Sequence, residues 1–188
     1  AQAAAAAADN SVTEVIVTAT KTGSTNLQKT PLAISVVGGD SLKESRVVSL
    51  KDISTVVSGV KVDSNAQDTI VRIRGIGGVT GIGDGDVSVY VDGVYLSRVS
   101  VAVQSNFNDL DRVEVVKGPQ GTLFGRNAVG GALNFITKRP THSFTFNNTL
   151  ALGNYNLIDE AFVVSGPISQ TMQASLAFGY VKRDGYVT

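Results

Sequence analysis

VEVVKGPQGTLFGRNAVGGALNFITKRP, residues 113–140, joins one β-type run to another through a glycine-rich turn. Val113-Glu114-Val115-Val116 alternates with the residues around it, and Ala132-Leu133-Asn134-Phe135-Ile136 is a returning strand. A glycine-rich turn after a strand has three common uses: to cradle a phosphate, to expose a nucleophile, or to let the backbone bend. The P-loop spacing fails, because Leu123, Phe124 and Gly125 stand where Gly, Lys and Ser/Thr are required after Gly118. No G-x-S-x-G nucleophile elbow occurs. The dinucleotide fingerprint fails from Gly75 and Gly77, whose third position is Thr80, and from Gly81 and Gly83, whose third position is Asp86. The glycines are therefore architectural: Gly118-Pro119 closes a strand in a tight bend, and Gly121, Gly125, Gly130 and Gly131 permit positive φ or close backbone approach.

Composition narrows the field further. Hydrophobic residues make up 43% of the 188 and charged residues 17%, which argues against a disordered chain. Lys+Arg and Asp+Glu balance at 16 each, so electrostatics gives no reason to expect a nucleic-acid partner. With no Cys a thiolate site is impossible, a lone His, His142, argues against a His-based triad or a multi-His metal site, and no catalytic residue is expected. Asp84, Asp86 and Asp92 invite a calcium reading, but an EF-hand loop from Asp84 would need Gly at Val89 and Glu at Tyr95, so no metal or other cofactor is expected. Asn147-Asn148-Thr149 matches the glycosylation tripeptide, a pattern short enough to arise by chance.

Along the chain, AQAAAAAADN reads either as the start of an exported mature chain or as a low-complexity tail. Within a polar leader, Glu14-Val15-Ile16-Val17-Thr18-Ala19-Thr20 is an island of β-branched residues that prefers an extended form. It suits pairing with a partner's sheet edge, or an ordinary edge strand of the domain that follows. A compact region opens at Pro31, with a strand at 33–37, a helix capped by Asp40 or Ser41, and a second helix over 49–57. Further strands are expected at 60–62, 70–74 and 87–91, the last turning at Asp92-Gly93 into Val94-Tyr95-Leu96. GIGGVTGIGDGD, 75–86, is too glycine-rich for regular structure. Arg72, Arg74, Arg112, Lys117 and Arg126 read as a solvated face with local acidic partners, or as the charged surface of a plug in a polar enclosure.

After Pro140 three alternating segments follow, with turns at Gly153-Asn154 and Gly166-Pro167. Phe144, Phe146, Leu150 and Leu152, then Met172, Ala174, Leu176, Phe178 and Tyr180, share a parity against small or polar neighbours, with Asn148 the exception in the first segment. Segments of about ten residues patterned in this way fit a transmembrane barrel wall as well as a half-buried soluble sheet.

The order of these elements resembles the N-terminal part of a TonB-dependent outer-membrane receptor. EVIVTAT looks like the TonB box, and 31–37, 50–62, Ile73-Arg74-Gly75 and Val89-Tyr90-Val91-Asp92-Gly93 are similar to successive plug motifs. DRVEVVKGPQGTLFGRNAVGGALNFITKRP, 111–140, resembles the end of the family's plug almost position by position. Ser58-Gly59-Val60 departs from the Pro-Gly-Val of many members. The resemblance implies a leader (1–30), an α+β plug with a small mixed sheet and short helices (31–140), and the first antiparallel strands of a barrel (141–188). The family closes that barrel with about 22 strands, of which this chain supplies about three.

The resemblance also implies function: energised uptake of a scarce ligand, of the iron-siderophore class or else carbohydrate or cobalamin, in the bacterial outer membrane with leader and plug on the periplasmic side. TonB would pair with Glu14–Thr20 as an added strand; ligand would meet plug loops at Gly77, Gly78, Thr80, Asp84, Asp86 and Arg98; lipid would meet the barrel. Arg74 and Arg112 are expected to pair with barrel acids. The alternative is a stand-alone structural protein that self-associates into fibres through exposed β-edges.

Overall fold

The computed structural model describes residues 16–17, 25–26, 32–45, 47, 49–64, 69–78, 85–97, 109–125 and 127–185. In chain order the strands are β1 (Ile16–Val17), β2 (Thr25–Asn26), β3 (Ile34–Gly38), β4 (Val60–Ser64), β5 (Thr69–Ile73), β6 (Val87–Val91), β7 (Val94–Tyr95), β8 (Leu110–Lys117), β9 (Gly131–Thr137), β10 (Thr145–Gly153), β11 (Leu157–Pro167) and β12 (Gln173–Lys182). Among the described residues three short helices, α1 (Gly39–Glu44), α2 (Ile53–Val56) and α3 (Gly121–Phe124), accompany a 3-10 turn at Leu50–Asp52.

The centre is a five-stranded sheet in the order β3-β8-β9-β6-β7. β6 runs parallel to β9 while the other neighbours are antiparallel, so the sheet is mixed. Period-two patterning divides its residues between two faces. Val113, Val115, Leu133, Phe135, Val87 and Val89 point one way into a core shared with Leu42 of α1, Leu50, Ile53 of α2 and Val60, Val71 and Ile73 of the β4–β5 hairpin. On the other face Ala132, Val116 and Tyr90 pack against Phe124 and Ala128 of the glycine-rich turn. The two runs of 113–140 are β8 and β9, paired from Val113↔Phe135 to Lys117↔Gly131, and the turn between them folds back as α3 to cover the second face.

Two local expectations change. α1 begins at Gly39 with Gly38 as its N-cap, so Asp40 lies in the first turn and neither it nor Ser41 caps the helix. The cause is proximity, since a Cβ on Gly39 would lie 2.3 Å from the Leu110 carbonyl oxygen. The helix expected over 49–57 is a 3-10 turn followed by one α turn, its start fixed by Ser49, whose N–H and hydroxyl both donate to Asp52 Oδ2 at 2.9 and 2.8 Å. The Asp92-Gly93 hairpin forms with φ of +48° and +81°, the primed-turn geometry its sequence demands.

β10, β11 and β12 form an antiparallel meander. Its second turn lies beyond Gly166-Pro167: β11 continues through Pro167, opposite Gln173, and the chain reverses where Ile168 N–H donates to the Met172 carbonyl at 2.8 Å. The registers Phe146↔Val164↔Leu176 and Asn148↔Phe162↔Phe178 place these residues on one face. That face is open: Phe146, Leu150, Leu152, Leu176 and Phe178 are all more than half exposed. Ala161 and Ser165, on the opposite face, are buried. Among the described residues no helix is long and apolar enough to cross a membrane.

Candidate functional site

Three features stand where the sequence reading placed function, and a fourth, a cleft, is found only in the fold. In the leader, Ile16 and Val17 form an antiparallel pair with Asn26 and Thr25, and Val17 is fully buried. Glu14, Val15, Thr18, Ala19 and Thr20 lie outside the described residues.

The second feature is the pair of feet from which the 75–86 loop rises. Gly77 lies so close to β5 that a Cβ there would sit 2.2 Å from the Val71 carbonyl oxygen, and one on Gly78 would lie 3.0 Å from Asp86 Oδ2. The Asp86 carbonyl accepts the Gly130 N–H at 2.9 Å. Gly77, Gly78 and Asp86 are thus brought together and tied to the glycine-rich turn, while Thr80, Asp84 and Arg98 fall outside the described residues.

The basic groups divide. Arg72 pairs with Asp63, across the β4–β5 hairpin, and Lys61 lies 3.4 Å from the same carboxylate. Arg74, at φ +52° with its N–H on the Gly59 carbonyl at 2.7 Å, is exposed in the turn after β5 and has no acidic partner among the described residues. Arg112 has acidic partners within the plug: its Nε donates to Glu114 Oε1 at 2.8 Å and its Nη1 to Asp111 Oδ2 at 2.6 Å. The plug itself therefore supplies acids to Arg112. Sequence reasoning missed Glu114, although residues two apart on a strand share a face and D-R-V-E carries that signal.

The fourth feature is a cleft of about 870 Å³ on the second face of the sheet. Tyr90, Phe124 and Asn134 line it from the sheet and turn, Arg112 and Ile136 flank it, and the connector from Thr137 to Pro140 forms a side. Tyr90 donates its hydroxyl to the Phe124 carbonyl at 2.7 Å and meets the Phe124 ring edge-on at 5.2 Å. Burial pushes its pKa above the ordinary phenol value, against a smaller lowering by the Ser88 hydrogen bond. Asn134, opposite Glu114 in the register, is buried, and its Oδ1 has no hydrogen-bond partner among the described residues. Asp92 clamps the rim by accepting Thr137 N–H at 2.9 Å and Thr137 Oγ1–H at 2.8 Å. Nearby, burial raises the pKa of Asp109, while the charges of Lys138 and Lys43 pull it down less strongly.

A mixed sheet with one covered face and one cleft, preceded by a short leader strand and followed by a meander that turns its apolar face outward, defines a plug joined to the first part of a membrane wall. The model of the TonB-dependent receptor plug domain matches residues 26–132, more than half of the chain, and the chain belongs to that family. It is 27% identical to the pesticin receptor of Yersinia pestis over 169 residues, covering 89% of this chain and 24% of that protein. It is 28% identical to the vitamin B12 transporter BtuB of Vibrio vulnificus, covering 82% of this chain and 25% of that protein. Among solved structures, the ferric yersiniabactin uptake receptor FyuA of Yersinia pestis superposes with a TM-score of 0.69 at 27% identity, covering 79% of this chain and 24% of that one. The chain thus spans about a quarter of the length of the relatives it matches.

Proposed function

We propose that this chain is the TonB-coupling leader (1–30), plug (31–140) and first barrel strands (141–188) of a transporter in the bacterial outer membrane that takes up a scarce ligand, foremost of the iron-siderophore class. The similarity to a ferric yersiniabactin uptake receptor and to a vitamin B12 transporter supports uptake, with cobalamin as a second ligand class on the same plug and carbohydrate as a third that rests on the family resemblance alone. Each of those relatives is a receptor or transporter, and none supports the self-assembling alternative.

The observation that carries the reading is the join between plug and wall: Thr137 to Pro140 leave the central sheet beside the cleft and lead into three strands whose apolar face is exposed. Ligand binds above the plug at the 75–86 loop, including Thr80 and Asp84, and at Arg98; lipid covers the outer face of β10–β12. TonB pairs with Glu14–Thr20 as an added strand, a mode in which backbone hydrogen bonds give affinity and share a pulling load. Arg74 pairs with a wall acid, whereas Arg112, first expected to do the same, is already held by Glu114 and Asp111 within the plug.

The test is binding of the intact receptor to the periplasmic domain of TonB, with Ile16→Pro as the variant. Proline removes a strand N–H, so binding should fall at least about tenfold and energised uptake should cease. Undiminished binding by the variant would rule out strand addition at this segment.

A further inference from the structure

We infer that the cleft beside Asn134 seats an uncharged hydrogen-bond donor, a hydroxyl or amide, from the receptor's own barrel wall, and that Arg112 needs no wall carboxylate. The inference rests on the proposed function, because it takes the wall to be a barrel around this plug.

Three observations carry it. Asn134 is 7% exposed and lines the cleft, yet its Oδ1 accepts nothing among the described residues. A buried amide oxygen without a partner is rare and requires an explanation, which a donor arriving from outside the plug supplies. Arg112, on the same face of the sheet, already has Nε on Glu114 and Nη1 on Asp111, so a third acid would meet a site whose positive charge is answered. Arg112, Lys138 and Arg139 line the cleft with Asp92 and Asp111, and the fully buried Glu114 holds Arg112 from beneath. The unmet need at Asn134 itself is one donor, which a hydroxyl or amide supplies to an amide oxygen without carrying charge.

The occupant is the wall because of where the cleft lies. Its side is the connector that leads from β9 to β10, so the first wall strand begins within a few residues of it. Relatives about four times longer than this chain supply the rest of the wall.

The experiment uses the intact receptor in planar bilayers, following the urea concentration at which the plug releases and a large conductance appears. Asn134→Leu keeps volume and removes the acceptor; the double variant Arg112→Gln/Glu114→Gln removes that buried ion pair together and leaves only the half-exposed Asp111 without its partner. Early release in Asn134→Leu, with the double variant releasing like the wild type, is the expected result. Early release in the double variant alone would overturn the assignment in favour of a wall carboxylate, and unchanged release in both would overturn it in favour of water alone. If both release early, the crystal structure of the intact receptor decides: a wall hydroxyl or amide opposite Oδ1 upholds the assignment, and water or a carboxylate overturns it. Failure of the underlying reading is separate, since a protein without a barrel gives no large conductance at any urea concentration.

Discussion

Gly131 shows how much can hang on one missing Cβ. It sits at φ +138°, and a Cβ there would lie 2.2 Å from the Val116 carbonyl oxygen in the strand it pairs with. Gly131→Ala combines backbone strain with an overlap that the β8–β9 ladder cannot relieve, and should cost about 3 kcal/mol. A urea midpoint for the plug within about 0.5 kcal/mol of wild type would show that the ladder yields there. Asp109 offers a test of opposite sign. Its pKa is raised in the fold, so its proton is held more tightly there than in the unfolded chain. Its contribution is fully present below the ordinary carboxylate range and is lost as pH rises through the folded value. Asp109→Asn should therefore raise the plug's urea midpoint at pH 7, and the gap should close toward pH 3. A gap that is flat with pH would mean that the Lys43 and Lys138 charges offset the burial.

At the scale of elements, the strands of the central sheet and the helical start at Ser49 were legible in the sequence, and the start of α1 was not. β8, β9 and the β6–β7 hairpin are written in alternation and in Asp92-Gly93, signals that depend on near neighbours in the chain. The start of α1 depends on the carbonyl of Leu110, some seventy positions away, and no cap signal encodes that approach. Asn134 was visible as the one amide in Ala132–Ile136, but its lack of a partner appears only once β6, β8 and β9 are in register. The same logic governs the loop foot at Gly77, which is glycine because β5 passes beneath it. Gly77→Ala must move the start of the 75–86 loop, so the receptor should lose ligand affinity by about tenfold or more while TonB binding through the leader stays unchanged. Equal loss of both would mean that the plug had unfolded rather than that its loop had shifted.

For the whole molecule, the decisive property is which way β10–β12 face. In a soluble sheet the face carrying Phe146, Leu150, Leu176 and Phe178 would be covered, yet these residues are open; the opposite face is small and polar, buried at Ala161 and Ser165 and exposed at Asn147, Thr149 and Ala177. Phe178 lies in the middle of β12, opposite Phe162, whose ring stacks on it at 5.2 Å. With hydrocarbon outside, Phe178→Arg places a charge in the apolar band and should cost about 2–4 kcal/mol near the bilayer midplane. Ala177→Arg, one residue away and facing the other side, should cost far less, because that side is not in contact with lipid. The comparison is made on the intact receptor folded into lipid vesicles, from the urea concentration that unfolds the barrel. The two substitutions add the same charge to the same strand, and Phe178→Ala measures separately the loss of the ring stacked on Phe162, so the remaining difference reports the two faces. If Ala177→Arg proves the more damaging, the apolar face points inward and the barrel-wall reading of these three strands fails.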